Sequence, residues 1–273
     1  MLITLLTDFG IADYFVGAMK GVILSISSEA RIVDITHEIP PQDILAGAFT
    51  LLAVYRDFPP QTIHVAVVDP GVGSSRRPIL VAGGGRFFVG PDNGIFGYIY
   101  EREPAARVYH LNRAEFFRPR VSETFHGRDV FAPVAGALSN GTKPDELGLE
   151  IKDYVRLPPL AARRGAAADT SLHAQIIHID RFGNCVTNLT RDLLTEEMIE
   201  SGVQLFIGAS VVKTFRRFYA EASDAPGEPF AIWGSAGLLE IAALNSSAAQ
   251  QLGIRRGDTV RVSVRPGGAG QRP

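Results

Sequence analysis

Cysteine is nearly absent. Cys185 is the one cysteine among 273 residues, which excludes an internal disulfide framework and any multi-cysteine zinc site. No apolar run reaches the roughly 20 residues that a membrane-spanning helix needs. An excess of one charge is also missing. The 27 Lys and Arg nearly balance the 29 Asp and Glu, leaving a net charge of −2 with no basic tail or stripe. Neither nucleic acid nor an anionic membrane is therefore expected as a partner. The sequence has no HExxH, no CxxC, no EF-hand loop, and neither the GxGxxG nor the GxxxxGK[ST] spacing. His37 with Asp34 and Glu38, or His126 with Asp129, could supply metal ligands, but such local spacing arises readily by chance, and no metal is expected. Ser235 stands in Trp233-Gly-Ser-Ala-Gly, which lacks the GxSxG flanks of a nucleophile elbow. The N-terminal stretch carries no charged leader and meets Asp8 early, so the expected location is the cytoplasm.

What is present is an ordinary globular composition, 46% hydrophobic and 21% charged, in a chain long enough for one large domain or two smaller ones. The organising stretch is Val67-Val68-Asp69-Pro70-Gly71-Val72-Gly73-Ser74-Ser75-Arg76-Arg77-Pro78. An apolar run from Ile63 to Val68 reads as a buried strand, and it stops at Asp69 because Pro70 cannot donate to a ladder and the glycines permit tight turning. An acid at a strand end, with a guanidinium from Arg76 or Arg77 able to fold back onto it, fits a site at the carboxyl edge of an open sheet. The same pattern fits an ion pair bracing a loop.

Upstream, Leu2 to Leu6 and Ala30 to Ile35 read as strands. Phe15 to Ile26 and Ile44 to Tyr55 carry apolar residues at helical spacing. The order β-α-β-α-β implies a parallel sheet with right-handed crossovers. Gly83-Gly84-Gly85 reads as a hairpin turn between Pro78–Ala82 and Arg86–Val89. A strand follows near Val108, and a helix runs from about Val130 to Leu138, closed by Asn140-Gly141. The fold class is α/β. Residues 1–158 form an N-terminal α/β domain with a central, mostly parallel sheet, and a low-complexity linker spans 159–170. Short alternating strands in 171–266 suggest a smaller β-barrel domain with one helix near Leu193 to Ile199, and 267–273 form a tail.

Polar residues sit where apolar segments open or close: Asp8, Asp34, Asp69, His126, Asp180, Asn184 and Glu240. Singly, each fits a cap or turn residue. Together they suggest one polar site shared by both domains.

Several motifs carry a resemblance. Thr7-Asp8-Phe9-Gly10, Met19-Lys20-Gly21-Val22-Ile23, Val33-Asp34-Ile35-Thr36-His37 and Val67 to Gly73 resemble the S-adenosylmethionine (SAM) hydroxide adenosyltransferases, or SAM hydrolases. So do Pro91-Asp92-Asn93-Gly94, Thr124-Phe125-His126-Gly127-Arg128-Asp129, Asp180-Arg181-Phe182-Gly183-Asn184 and the run Gly234 to Ala242. The family is related to the SAM-dependent fluorinase and chlorinase. The resemblance implies an α/β domain followed by a β-barrel, and a homotrimer with SAM bound between subunits. It implies attack of water or hydroxide on ribose C5′ to give adenosine and L-methionine, with SAM as substrate and no cofactor. The family's Asp-Arg-His set falls on Asp69, Arg76 and His126, with Arg77 adjacent as the alternative arginine. By the same resemblance, Asp8 holds the ribose hydroxyls, and Asp180 pairs with the methionine ammonium. Asn184, Ser235 and Glu240 match positions that bind the nucleoside and amino-acid parts, while Ala243 offers backbone contact to adenine. Halogenating relatives have a tyrosine in place of Asp69 and a tyrosine-serine pair in place of His126-Gly127. A carboxylate at the nucleophile position would repel a halide. The expected activity is hydrolysis of SAM, with the (R)-sulfonium epimer the form this family's resemblance implies, and a halogenase or a non-catalytic SAM- or adenosine-binding module as the alternatives.

Overall fold

In the computed structural model, which describes residues 1–165, 171–222 and 227–264, the chain divides into two units, Met1–Pro159 and Leu160–Pro273. The first runs β1 (Leu2–Thr7), α1 (Phe15–Ile26), β2 (Arg31–Thr36), α2 (Ile44–Val54), β3 (Ile63–Val67), β4 (Pro78–Gly83), β5 (Arg86–Pro91), α3 (Gly97–Arg102), β6 (Arg107–Leu111), α4 (Ala132–Ser139), α5 (Pro144–Leu147) and β7 (Gly148–Ile151). Strand alternation builds its layers. Ile3, Leu5, Ile63, Val65 and Val67 face one side, where Met19 and Ile23 of α1 and Val134 and Leu138 of α4 cover them. Leu6, Ala66 and Val68 face the other side, under Leu51 of α2 and Ile99 of α3. The start of α2 is fixed by Asp43, whose carboxylate accepts from the Ala46 amide at 2.9 Å.

The seven strands lie in the order β2-β1-β3-β5-β4-β6-β7. The β-α-β-α-β start forms the parallel half, with β1 between β2 and β3 and β5 beyond β3. The expected mostly parallel sheet is more evenly mixed. The turn at Gly84-Gly85 returns β5 antiparallel to β4, and β6 and β7 continue antiparallel. β7 and α5 gave no periodic signal, being four residues each. The expected helix from Val130 opens earlier, as a π-helical turn over Gly127–Phe131 that leads into α4.

The second unit runs β8 (Arg163–Arg164), β9 (Leu172–Ile179), β10 (Cys185–Thr190), α6 (Glu196–Glu200), β11 (Val203–Ile207), β12 (Ser210–Val212), β13 (Phe215–Arg216), β14 (Pro229–Trp233), β15 (Leu238–Ala243), α7 (Ala248–Leu252) and β16 (Thr259–Val264). Leu172, Ala174 and Ile176 point inward while His173 and Gln175 stay exposed, the alternation of a strand with one buried face. The sheet order is β12-β11-β16-β9-β10-β15-β14-β13, with β8 also on β9. Its two ends, β12 and β13, are joined by Lys213 and Thr214 alone, and the Ala231 amide of β14 donates to the Thr214 carbonyl at 2.8 Å. The sheet must therefore curl round on itself, as a half-barrel. The expected linker behaves differently in its described part. Leu160 and Ala162 are buried in this unit and β8 pairs with β9, so the stretch packs rather than tethers. Residues 166–170 and the expected tail lie outside the described residues. Among the described residues, no helix is long and apolar enough to cross a membrane.

One buried group makes stability depend on pH. His64 of β3 is fully buried opposite Thr4 of β1, with Thr4 Oγ1 at 2.8 Å from its Nδ1 and the Phe88 ring stacked at 5.1 Å. Burial, aided by the Arg86 cation, pulls its pKa down from 6.5 to about 3. The unfolded chain takes up this proton below 6.5 and the folded chain does not, so stability falls as pH drops below 6.5. In His64→Asn, which keeps a polar atom near Thr4, the slope of unfolding free energy is expected to lessen by up to about 1.4 kcal/mol per pH unit, approached towards about pH 4.5 and about half that at 6.5. Denaturant titrations across that range measure it.

Candidate active site

Parallel strands bring their carboxyl ends to one edge. Thr7 of β1 pairs in register with Val67 of β3, and Leu6 pairs with Thr36 of β2. Asp8, His37 and Asp69, each one or two residues beyond a paired end, therefore emerge on the same edge of the sheet.

Asp69 meets Arg76 there. The loop between them turns tightly: the Val72 amide donates to the Asp69 carbonyl, and Ser74 Oγ donates to the Gly71 carbonyl at 2.6 Å. Gly73, at φ 78°, lies so close to the Glu123 carbonyl that a Cβ would collide with it. This seats the loop against the segment that carries His126. Arg76 Nε donates to both Asp69 oxygens at 3.0 Å, Nη2 donates to Oδ2 as well, and the two side chains are only 8% and 5% exposed. Nη2 also donates to His126 Nδ1 at 2.7 Å. The guanidinium rests over the Phe131 ring, 5.3 Å from its centre. Arg77 turns away, bonding to Asp92 at 2.9 Å and Asp153 at 3.1 Å. Of the adjacent pair, Arg76 is the arginine beside Asp69 and His126.

Burial lowers the His126 pKa, and the neighbouring Arg76 cation lowers it further. Because an arginine can only donate, Nδ1 of the neutral ring is the acceptor and its proton sits on Nε2. The π-helical turn after His126 is pinned by Asp129, which is fully buried and accepts from Arg128 at 2.7 Å and from the Ser122 amide at 2.9 Å. Burial alone would push the Asp129 carboxyl up, but those bonds outweigh it and hold it below its usual value. Nη1 of Arg76 is buried and has no hydrogen-bond partner among the described residues, so one donor of the cluster remains unspent.

Asp8 is partly exposed, and its Oδ2 accepts from the Gln42 amide at 2.7 Å. The Asp69, Arg76, His126 and Asp8 positions all belong to the first unit. The rest fall in the second, and the structure describes two polar groupings, one in each unit.

In the second unit, Asp180, Asn184, Ser235, Glu240 and Ala243 line one cavity of about 730 Å³. Asp180 closes β9 in a turn of its own making: Oδ1 accepts from the Phe182 and Asn184 amides at 2.9 and 2.8 Å, and Oδ2 accepts from Asn184 Nδ2 at 2.8 Å. Gly183 (φ 84°) packs so tightly on Ser247 that any side chain would overlap it. Burial, with the Asp180 charge, raises the Glu240 pKa. Tyr219 joins the group, its hydroxyl 3.3 Å from Asn184 Nδ2, and burial together with the Glu240 charge raises its pKa. The sequence offered no signal for Tyr219. Phe182, 76% exposed at the cavity, lies within the Asp180–Asn184 motif, where an outward-facing aromatic was the available clue.

Comparison with known proteins follows the same two-unit division. Residues 3–148 match the model of the SAM hydroxide adenosyltransferase N-terminal domain, and residues 174–261 match that of its C-terminal domain. The (R)-S-adenosyl-L-methionine hydrolase of Methanocaldococcus jannaschii is 35% identical over 275 residues, covering 96% of this chain and 95% of its own length. A fluorinase of Actinopolyspora mzabensis is 25% identical over 292 residues, covering 96% and 97%. The crystal structure of an uncharacterized conserved protein from Thermotoga maritima has a TM-score of 0.87 at 32% identity, over 96% of this chain and 99% of that one. With both domain models matched in order along most of its length, the chain belongs to the SAM hydroxide adenosyltransferase family.

Proposed function

We propose that this chain is a SAM hydrolase that forms adenosine and L-methionine, acting on the (R)-sulfonium epimer named in its hydrolase relatives. The observation that carries the reading is the buried Asp69–Arg76–His126 cluster, with one guanidinium donor unspent. The leaving group, methionine's thioether, departs neutral and needs no acid. The difficulty is the nucleophile, since water is weak and must line up behind C5′ opposite the sulfur. His126 Nε2–H and Arg76 Nη1 can hold the water oxygen, and Asp69 retains lone pairs to accept from it. The O–C5′ bond forms as the C5′–S bond breaks, its electron pair passing to sulfur. The water proton goes to Asp69 and then to solvent. His126 orients rather than accepts, because its free nitrogen already carries a proton. SAM is substrate here, and the chemistry calls for no cofactor or metal.

A halogenase would place a halide against the Asp69 carboxylate, an electrostatic conflict. A binding module without turnover is the remaining alternative. Purified protein incubated with each SAM epimer in chloride-free buffer is expected to give adenosine and methionine in equal amounts from the (R) form. Asp69→Ala and His126→Ala are expected to lose about 100-fold or more. A 5′-halo product that appears only with added halide would reverse the subtype, and binding without any product would favour the module.

The pH profile is a second test. With the His126 pKa held below 6.5, kcat/KM is expected to stay level as pH falls through 6.5 and to decline only at lower pH. Protonation there sets an N–H against the guanidinium. An acid limb at or above 6.5 would contradict this arrangement.

The same reading takes the protein as a cytoplasmic homotrimer whose sites pair the first unit of one subunit with the second unit of its neighbour. Cys185, buried and free, suits a reducing compartment. The division of polar groups between units supports the composite site. Asp69→Ala and Asp180→Ala, each inactive alone, are expected to recover up to about a quarter of parental activity when their subunits are exchanged at equal amounts, because random mixing rebuilds that share of intact sites. No recovery after verified exchange would count against a site shared between subunits.

A further inference from the structure

His37 belongs to no part of the chemistry above, yet it is buried, 5% exposed, at the edge of the sheet where Asp8 emerges. Three bonds tie it and its neighbour Ile39 to the Thr7–Gly10 turn. Its Nδ1 lies 2.8 Å from Thr7 Oγ1, its carbonyl accepts from the Gly10 amide at 2.8 Å, and the Ile39 amide donates to the Thr7 carbonyl at 3.4 Å. Thr7 Oγ1 in turn accepts from the Phe9 amide at 3.2 Å. Asp8 thus sits inside a turn closed by the Thr7 hydroxyl, which accepts from Phe9 and is hydrogen-bonded to His37.

The ring is braced from behind. Nε2 lies 3.1 Å from Asp34 Oδ1, and Asp34 Oδ2 lies 2.6 Å from Lys20 Nζ on α1. Burial pushes the Asp34 carboxyl up, but the Lys20 hydrogen bond and the nearby His37 ring outweigh it and keep it below its usual value. The Asp34 carboxylate 3.1 Å from Nε2, close but not aligned as a hydrogen bond, favours the neutral tautomer protonated there and leaves Nδ1 to accept from Thr7. Lys20, Asp34, His37 and Thr7 form one chain of polar contacts from helix to turn. A buried ring hydrogen-bonded at Nδ1 and set against a carboxylate at Nε2 is an ordinary way to hold a neighbouring functional group in place.

We propose that His37 is a positioning residue for the ribose end of the substrate: braced by Asp34 and Lys20, it sets the turn that aims the Asp8 carboxylate at the ribose hydroxyls. This rests on the reading of Asp8 as the ribose-binding residue. Such a contact is made equally before and during reaction, so its loss appears in KM rather than kcat.

The test compares parent, His37→Gln and His37→Asn on (R)-SAM and on its 2′,3′-dideoxy analogue. Glutamine reaches towards Asp34 but not Thr7, whereas asparagine keeps an amide where Nδ1 stands. His37→Gln is expected to raise KM for SAM about tenfold, with kcat changed less than about twofold, and His37→Asn to recover most of that loss. On the analogue, which has no hydroxyls for Asp8 to hold, His37→Gln and parent are expected to share one KM. An equal KM penalty on both substrates, a fall in kcat alone, or no recovery in His37→Asn would overturn the proposal and leave His37 as a fold residue. If the parent itself binds SAM and analogue alike, the reading of Asp8 fails first. Should the His37 variants not fold, Asp34→Asn, at a partly exposed position, removes the brace and leaves the ring. It is expected to raise KM about threefold on SAM alone, and a rise on both substrates or on neither would equally overturn the proposal.

Discussion

The parallel register of β1, β2 and β3 is the constraint on which the first unit's chemistry depends. It brings three strand ends to one edge, and each end delivers a polar residue where backbone pairing stops. Arg76 then occupies a central place in the cluster. One guanidinium gives donors to a carboxylate and to an imidazole, rests on the Phe131 ring, and keeps a further donor in reserve. Planarity matters here, because an ammonium has no fixed fork to divide between two acceptors. Most of the surrounding detail serves to hold that fork still: the glycine that seats the loop on Glu123, the π-helical turn after His126, and the pinning of Asp129.

The second unit solves a different problem. Its cavity sets two carboxylates, Asp180 and Glu240, among neutral donors and aromatic rings. Asp180 is organised by its own backbone turn, while Glu240 feels the Asp180 charge and its own burial. Such a pocket favours a cationic guest, and the ammonium of a methionine moiety supplies that charge under the proposed activity.

Much of this was legible in the sequence for a physical reason. Wherever an apolar run meets Asp, Pro and Gly in succession, the strand has nowhere further to go, so β1, β3 and the loop after Asp69 could be placed to within a residue or two. The hairpin at Gly84-Gly85 followed from the same punctuation. What resisted was short or ambiguous. The four residues of β7 and the two of β13 are too few to carry a period. Leu238, Leu239, Ile241 and Ala242 of β15 suit a helical face as well as a strand. The apparent linker read as such because alanine and arginine dominate it, although Leu160 and Ala162 find burial through packing that local composition does not encode. Arg76 and Arg77 could not be separated, since neighbours in a loop differ only in where the backbone points them. The family motifs marked the remaining candidate positions, and the geometry then grouped them by unit, adding Tyr219, which no motif marked.

The pairing of Arg76 with Asp69 has a consequence for charge balance. One cation and one anion cancel, and burial keeps His126 neutral, so the cluster has strong local dipoles but no net charge. A free anion entering would give up its hydration shell and gain only a cation already matched to a carboxylate. A water molecule gives up far less and finds donors and an acceptor waiting. Under the proposed activity, a preference for an uncharged nucleophile would arise from cancellation, a property of the ion pair that neither residue has by itself.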